Sequence, residues 1–180
     1  GGAFCAGADL TELEDIAFTR HLAAVLGRLA AVPVTTVAAI DGSCMGLGMQ
    51  LALACDLRVV AASARFAVPV AKLGLMVDHW TVRRLVRCWG EGAARQMILT
   101  AAVLDADDAW RLGFAQARGG LDTAREIAAS AVPLAPITQA AAKVGFDVEG
   151  KDQLASFEDL FRAAWASADL REGRAAFRER

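Results

Sequence analysis

Two short stretches hold most of the residues that could do chemistry. The first, Cys44-Met45-Gly46-Leu47-Gly48-Met49-Gln50, is a glycine turn between apolar runs that ends on an amide. Small residues at a sharp strand-to-helix turn present backbone N–H groups outward, where they can hold an anionic oxygen. A second turn of this kind, Ala3-Phe4-Cys5-Ala6-Gly7-Ala8-Asp9, lies upstream. Two such turns brought together make an oxyanion hole, worth ~3–4 kcal/mol per good donor to an enolate or a tetrahedral oxygen. Taken singly, each turn also reads as tight packing of a helix on a strand. Gln50 can orient water by hydrogen bonding but cannot take up a proton at neutral pH.

The second stretch, Val77-Asp78-His79-Trp80, sets an acid, an imidazole and an indole side by side ahead of a helical run, Thr81–Cys88. Asp78 reads as a helix-entry cap, or as a base at the edge of an apolar pocket, where desolvation strengthens a carboxylate's hold on a proton. Trp80 reads as pocket wall or as core. Arg83, Arg84 and Arg87 read as a solvated face, as ion-pair partners or as a phosphate patch. Cys44 stands at the centre of Gly-Ser-Cys-Met-Gly, where a nucleophile elbow carries serine. No orienting acid is placed to complete a Cys44–His79 pair, so a buried thiol is expected. Four cysteines without a C-x-x-C, and two histidines, give no metal-ligand spacing.

The elements that position these stretches follow from pattern. Gly1–Asp9 reads as a strand end running into a turn, with Asp9 and Glu12 spaced as a capping box. His21-Leu22, Val25-Leu26 and Leu29 have helical spacing, ended by Pro33. Val34–Ile40 and Leu57–Val60 are β-branched, apolar runs that read as buried strands, and Arg65–Val68 as a further extended piece. Gln50–Cys55 reads as a short buried helix. Helices are expected at Gly92–Leu99, after an Asp105/Asp108 capping box up to Gly113, at Thr123–Ala131, from Pro136, at Glu158–Ala166 and at Arg171–Arg180. Strands are thus expected before about residue 70 and helices after it, an α/β half followed by a helical half with no dividing linker.

Composition narrows the classes. The chain has 180 residues, 56% hydrophobic and 22% charged, a folded globular makeup. A net charge of -2 gives no electrostatic footprint for nucleic acid. The apolar runs are broken by Asp, Gly or Gln, so no membrane span is expected. The cysteines are expected to be reduced in an intracellular, cytoplasmic setting. The opening "GGAFCAGADL" reads as the interior of a fold, so residues are expected to precede it.

In order and spacing, "AFCAGAD", "PVTTVAAIDGSCMGLGMQLALACDLRVV", "ARFAVPVAKLG", "GLMVDHWTVRRLVR", "MILTAAVLDADDAWRLGF" and "DLREGRAAFRER" resemble the enoyl-CoA hydratase/isomerase family, the crotonases, over almost the whole chain. The resemblance implies an α/β crotonase (ClpP/crotonase-like) fold of stacked βαβ units, with a core at residues 1–120 lacking its N-terminal part and a helical trimerisation region at 121–180. It implies a homo-trimer or hexamer that binds acyl-CoA or enoyl-CoA thioesters in fatty acid metabolism, with coenzyme A as part of the ligand and no separate cofactor or metal. By motif position the oxyanion donors are the N–H groups of Ala6 and Leu47, the latter standing where the family carries glycine. Gly7 and Asp9 would line the coenzyme A side, Arg180 would meet its phosphates, and Val70, His79 and Trp80 would border the acyl group.

The family's two hydratase glutamates fall on Gln50 and Val70, neither of which can exchange a proton. Asp78 falls in the loop where some family isomerases and dehalogenases carry a working aspartate. Three functions are therefore expected to compete: an isomerase-like enzyme with Asp78 as base, a non-catalytic acyl-CoA binder or carrier, and a residual hydratase.

Overall fold

The computed structural model describes residues 2–9, 16–148 and 150–179. They fall into two compact units, one drawn from residues 1–30 and 36–129, the other from 31–35 and 130–180. The helical region expected from residue 121 begins inside the first unit, whose boundary lies at 129.

The first unit holds two small sheets. β1 (Ala3–Cys5), β3 (Ser43–Met45), β5 (Arg65–Ala67) and β6 (Leu104–Asp105) form one, in that order; β2 (Val37–Ile40), β4 (Leu57–Val60) and β7 (Ala117–Arg118) form the other. All pairings are parallel except β5 with β6. The chain runs β2, turn, β3, helix α2 (Leu47–Ala54), β4, turn, β5, so each winding gives one strand to each sheet. Val37 to Ile40 pair in register with Leu57 to Val60, and Ser43 to Met45 with Arg65 to Ala67. Parallel strands covered on both faces should be apolar throughout, and Val59, Val60, Ile40 and Phe66 are buried.

Three expectations need correction. Ser43–Met45 is a strand, not part of a glycine loop, and β6 and β7 lie beyond residue 70. These strands have two or three residues, too few to show an alternating pattern; parallel neighbours or the edge of β5 recruit them. The helix expected at Glu158–Ala166 begins earlier, at Lys151. The Asp9–Glu12 capping box lies partly outside the described residues.

Helix α1 (Ile16–Ala30) follows β1; α3 (His79–Trp89), α4 (Glu91–Thr100), α5 (Ala106–Arg111) and α6 (Leu121–Ala131) follow β5. The Asp105/Asp108 capping box forms as the sequence predicts, Asp108 N donating to Asp105 Oδ1 at 2.9 Å. Phe66, Trp89 and Phe114 meet at the core's centre: Trp89 stacks on Phe114 at 4.3 Å, and Phe66 meets each ring edge-on at 5.2 and 5.3 Å. Arg58 is buried beside them. Its Nε donates to the Phe114 carbonyl at 2.7 Å and its Nη1 to that of Cys55 at 3.0 Å, and burial lowers the guanidinium's pKa.

In α3 the fully buried positions are Thr81, Leu85 and Trp89, four residues apart and so on one face. The helix is therefore anchored at its far end in the aromatic cluster while its first turn reaches the site described below.

The second unit contains α7 (Pro136–Phe146), α8 (Lys151–Trp165) and α9 (Ala168–Arg178). Pro136 opens α7 at its first turn, as expected. Gln139 ties this unit's segments together: its Oε1 accepts from Thr35 Oγ1 and its Nε2 donates to the Ala131 carbonyl, both at 2.8 Å. A hollow between these helices is lined by Phe157, Phe161, Trp165 and Phe177, of which Trp165 and Phe177 are 66% and 81% exposed. No single helix among the described residues is long and apolar enough to cross a membrane.

Candidate active site

The end of β1 and the start of α2 meet because of two glycines with different duties. Gly46, at φ 52° and ψ -109°, takes a backbone conformation unfavourable to L-residues, and its N–H donates to the Ala67 carbonyl at 3.0 Å. Gly48 lies against β1: a Cβ there would come within 2.9 Å of the Cys5 Cβ and would overlap the Cys5 carbonyl oxygen. Between them Leu47 is the first residue of α2, whose cap, Gly46, has no side chain to offer. The first N–H groups of an α-helix have no acceptor within it, so the start of α2 is open to an anionic oxygen.

Ala6 and Leu47 line one cavity of about 280 Å³. Phe18, Leu22 and Leu26, at four-residue intervals on α1, form one wall; Met45, Pro69, Val70, Leu73, Leu75, Met76 and Val77 supply further apolar surface. Among the described residues the polar side chains on it are Thr19, Gln50 and Asp78. Val70 opens a short 3-10 turn, Val70–Lys72.

Asp78 does two things at once. It is the N-cap of α3, its Oδ1 accepting from Thr81 N at 3.0 Å and from Thr81 Oγ1 at 2.5 Å, and it stands at the exposed rim of the cavity. Cap and pocket edge, alternatives in the sequence, are both occupied. Gln50, 7% exposed, donates from Nε2 to Thr81 Oγ1 at 2.9 Å. Among the described residues Asp78 makes no ion pair with Arg84 or His79. Arg84 instead donates from Nη1 to the Leu53 carbonyl at 2.8 Å and lies over the Trp80 ring, 4.7 Å from its centre.

The structure thus brings Ala6, Gly7, Leu47, Gln50, Val70 and Asp78 to one cavity. His79, Trp80 and Asp9 do not line it, and Arg180 lies outside the described residues. Sequence reasoning missed Thr81 and the α1 wall. The signals were present: Thr81 is three residues past a capping aspartate, and Phe18, Leu22 and Leu26 repeat at helical spacing. Cys44 is a fully buried thiol, as expected, its pKa raised to about 12 by burial and, secondarily, by Cys5. Among the described residues no group of three or more His, Cys, Asp or Glu could hold a metal ion.

Among the described residues the cavity combines the backbones of Ala6 and Leu47, an apolar wall and one carboxylate, that of Asp78. The family model described as enoyl-CoA hydratase/isomerase matches residues 1–180. "Probable enoyl-CoA hydratase echA6" of Mycobacterium leprae is 41% identical over 179 residues, covering 98% of this chain and 72% of its own. Among solved structures, DspI of Pseudomonas aeruginosa superposes with a TM-score of 0.86 at 29% identity, over 99% of this chain and 74% of its own. Enoyl-CoA hydratase of Bacillus anthracis does so with a TM-score of 0.84 at 29% identity, over 99% of this chain and 75% of its own.

Proposed function

This chain belongs to the enoyl-CoA hydratase/isomerase family, and from that premise we propose that it binds enoyl-CoA thioesters and moves a proton between carbons of the acyl chain, with Asp78 as the base. The observation that supports this is that Asp78 lines the same cavity as Ala6 and Leu47. The thioester oxygen is held by the N–H groups of Ala6 and Leu47. Asp78 removes a proton from one carbon, the electron pair passes into a dienolate whose oxygen those donors stabilise, and the same carboxyl returns the proton to another carbon. Atoms and charge balance, and no cofactor or metal enters. Gln50 and Val70, at the positions the family motif gives to the hydratase glutamates, supply neither the base for water nor the acid for the α-carbon, so simple hydration is not the favoured reaction.

One observation favours a second reading, a non-catalytic acyl-CoA binder. Asp78 Oδ1 is already engaged as a helix cap, a structural duty that needs no chemistry. The test uses the full-length protein, incubated with a short and a long enoyl-CoA in deuterated water. Isomerisation or α/γ-deuterium uptake supports the enzyme; tight binding without either supports the binder; addition of water to the double bond supports the hydratase. The exposed Trp165 and Phe177 are consistent with a homo-trimer or hexamer, and the cytoplasm is the proposed location.

A further inference from the structure

We propose that Gln50, Thr81 and Asp78 form one directional hydrogen-bond chain in which Thr81 is the positioning residue, and that this chain accommodates a carboxylate at only one of its two ends. For its catalytic consequence the proposal rests on the proton-shift function above; the chain itself does not.

The direction follows from counting hydrogens. A threonine hydroxyl has one proton to give and lone pairs to receive. An ionised Asp78 is acceptor-only, so the 2.5 Å contact between Thr81 Oγ1 and Asp78 Oδ1 uses that proton. Thr81 Oγ1 can then only accept from Gln50, which must present Nε2, at 2.9 Å. Thr81 is fully buried, so its hydroxyl has no bulk water as an alternative partner. Two atoms remain outside these bonds: Asp78 Oδ2 and Gln50 Oε1 have no protein partner among the described residues. Both residues line the cavity. The chain therefore fixes one oxygen of Asp78 and leaves the other for substrate, while Gln50 offers an acceptor and no acid.

A glutamate in place of Gln50 would need the same hydroxyl proton that Asp78 takes. Asp78 would still have Thr81 N as a donor, whereas a carboxylate at position 50 would lose the hydroxyl proton where unmet polar groups are costly. The amide at position 50 and the acid at position 78 are then linked through Thr81, one requiring the other.

A thermal double-mutant cycle at neutral pH tests the chain without any need for turnover. Gln50→Glu should lower Tm by about 3–6 °C, and by less than half of that in the Asp78→Ala background, where no acceptor remains at position 78 and the Thr81 proton is released to serve position 50. Equal losses in both backgrounds overturn the proposal. Direct repulsion between two carboxylates would give coupling of the same sign, so the cycle is repeated with Thr81→Ser and Thr81→Val. Coupling should persist with the serine and shrink with the valine; coupling of unchanged size in Thr81→Val overturns the role of Thr81.

Deuterium exchange supplies the catalytic arm. Thr81→Val should lower the saturated rate about tenfold with KM within about twofold, and Thr81→Ser should restore it. A rate unmoved by Thr81→Val overturns the positioning of the base. A wild-type protein without exchange would remove the proton-shift function alone, since the stability cycle still decides the chain.

Discussion

Cys5 and Gly48, more than forty residues apart in sequence, touch backbone to backbone: a Cβ on Gly48 would lie 3.1 Å from the Cys5 carbonyl carbon and 2.9 Å from its Cβ. This contact sets the end of β1 against the start of α2, and with it Ala6 near Leu47. Gly48→Ala gains about 1 kcal/mol of helix propensity. It also forces overlap with strand backbone, which cannot swing aside as a flexible side chain would, at a cost of about 1–3 kcal/mol. The net expectation is a lower Tm together with weaker thioester binding, measured by thermal denaturation and by calorimetric titration.

Asp78→Asn separates the two duties of Asp78. Asparagine caps helices as well as aspartate does, so stability should change by less than about 0.5 kcal/mol. Loss of a general base should cut isomerisation or exchange by about 10²–10⁴-fold, with binding of a saturated acyl-CoA retained. Unchanged exchange would remove Asp78 from the mechanism.

Trp89 anchors α3 in the aromatic cluster, and its Nε1 is buried with no hydrogen-bond partner among the described residues. Trp89→Ala should cost about 3–5 kcal/mol and weaken ligand binding at the other end of the helix. Trp89→Phe should cost less than half as much, because it removes the unmet N–H along with some apolar volume. Denaturant midpoints read both.

Burial raises the Cys44 thiol from its ordinary 9.0 to about 12 in the folded chain. Between those values the unfolded thiol loses its proton and the folded one keeps it. The unfolded state binds fewer protons there, so stability falls as pH rises from 9 towards 12. Below 9 both states are neutral and the group contributes no slope. Cys44→Ala should cost stability at neutral pH by opening a small void, but should show a shallower alkaline decline in denaturation midpoints measured across that window.

How much the sequence revealed depended on the length of each signal. Leu57–Val60 was legible as β4 to the residue because a β-branched, apolar run has few other homes, and Asp105/Asp108 was legible because a capping box is local chemistry. Ser43–Met45 was not, since three residues between glycines become a strand only when β1 and β5 lie alongside. The cavity was half legible. Ala6, Leu47, Gln50 and Asp78 stand in turns and caps that announce themselves, whereas His79 and Trp80, adjacent to Asp78 in sequence, turn elsewhere once α3 starts. Adjacency along the chain is a poor guide at a helix start, where successive side chains point about 100° apart.

Ala6 and Leu47 contribute to the proposed oxyanion hole through their main chain, and that has an evolutionary consequence. A main-chain donor survives almost any change of its own side chain, provided the path of the backbone is kept. Selection acting at positions 50, 70 and 78 can then rewrite what happens to a held thioester, or end its conversion altogether, without dismantling the grip. Lineages carrying this architecture can drift between converting a ligand and merely retaining it by a handful of substitutions, each passing through a folded, ligand-competent ancestor.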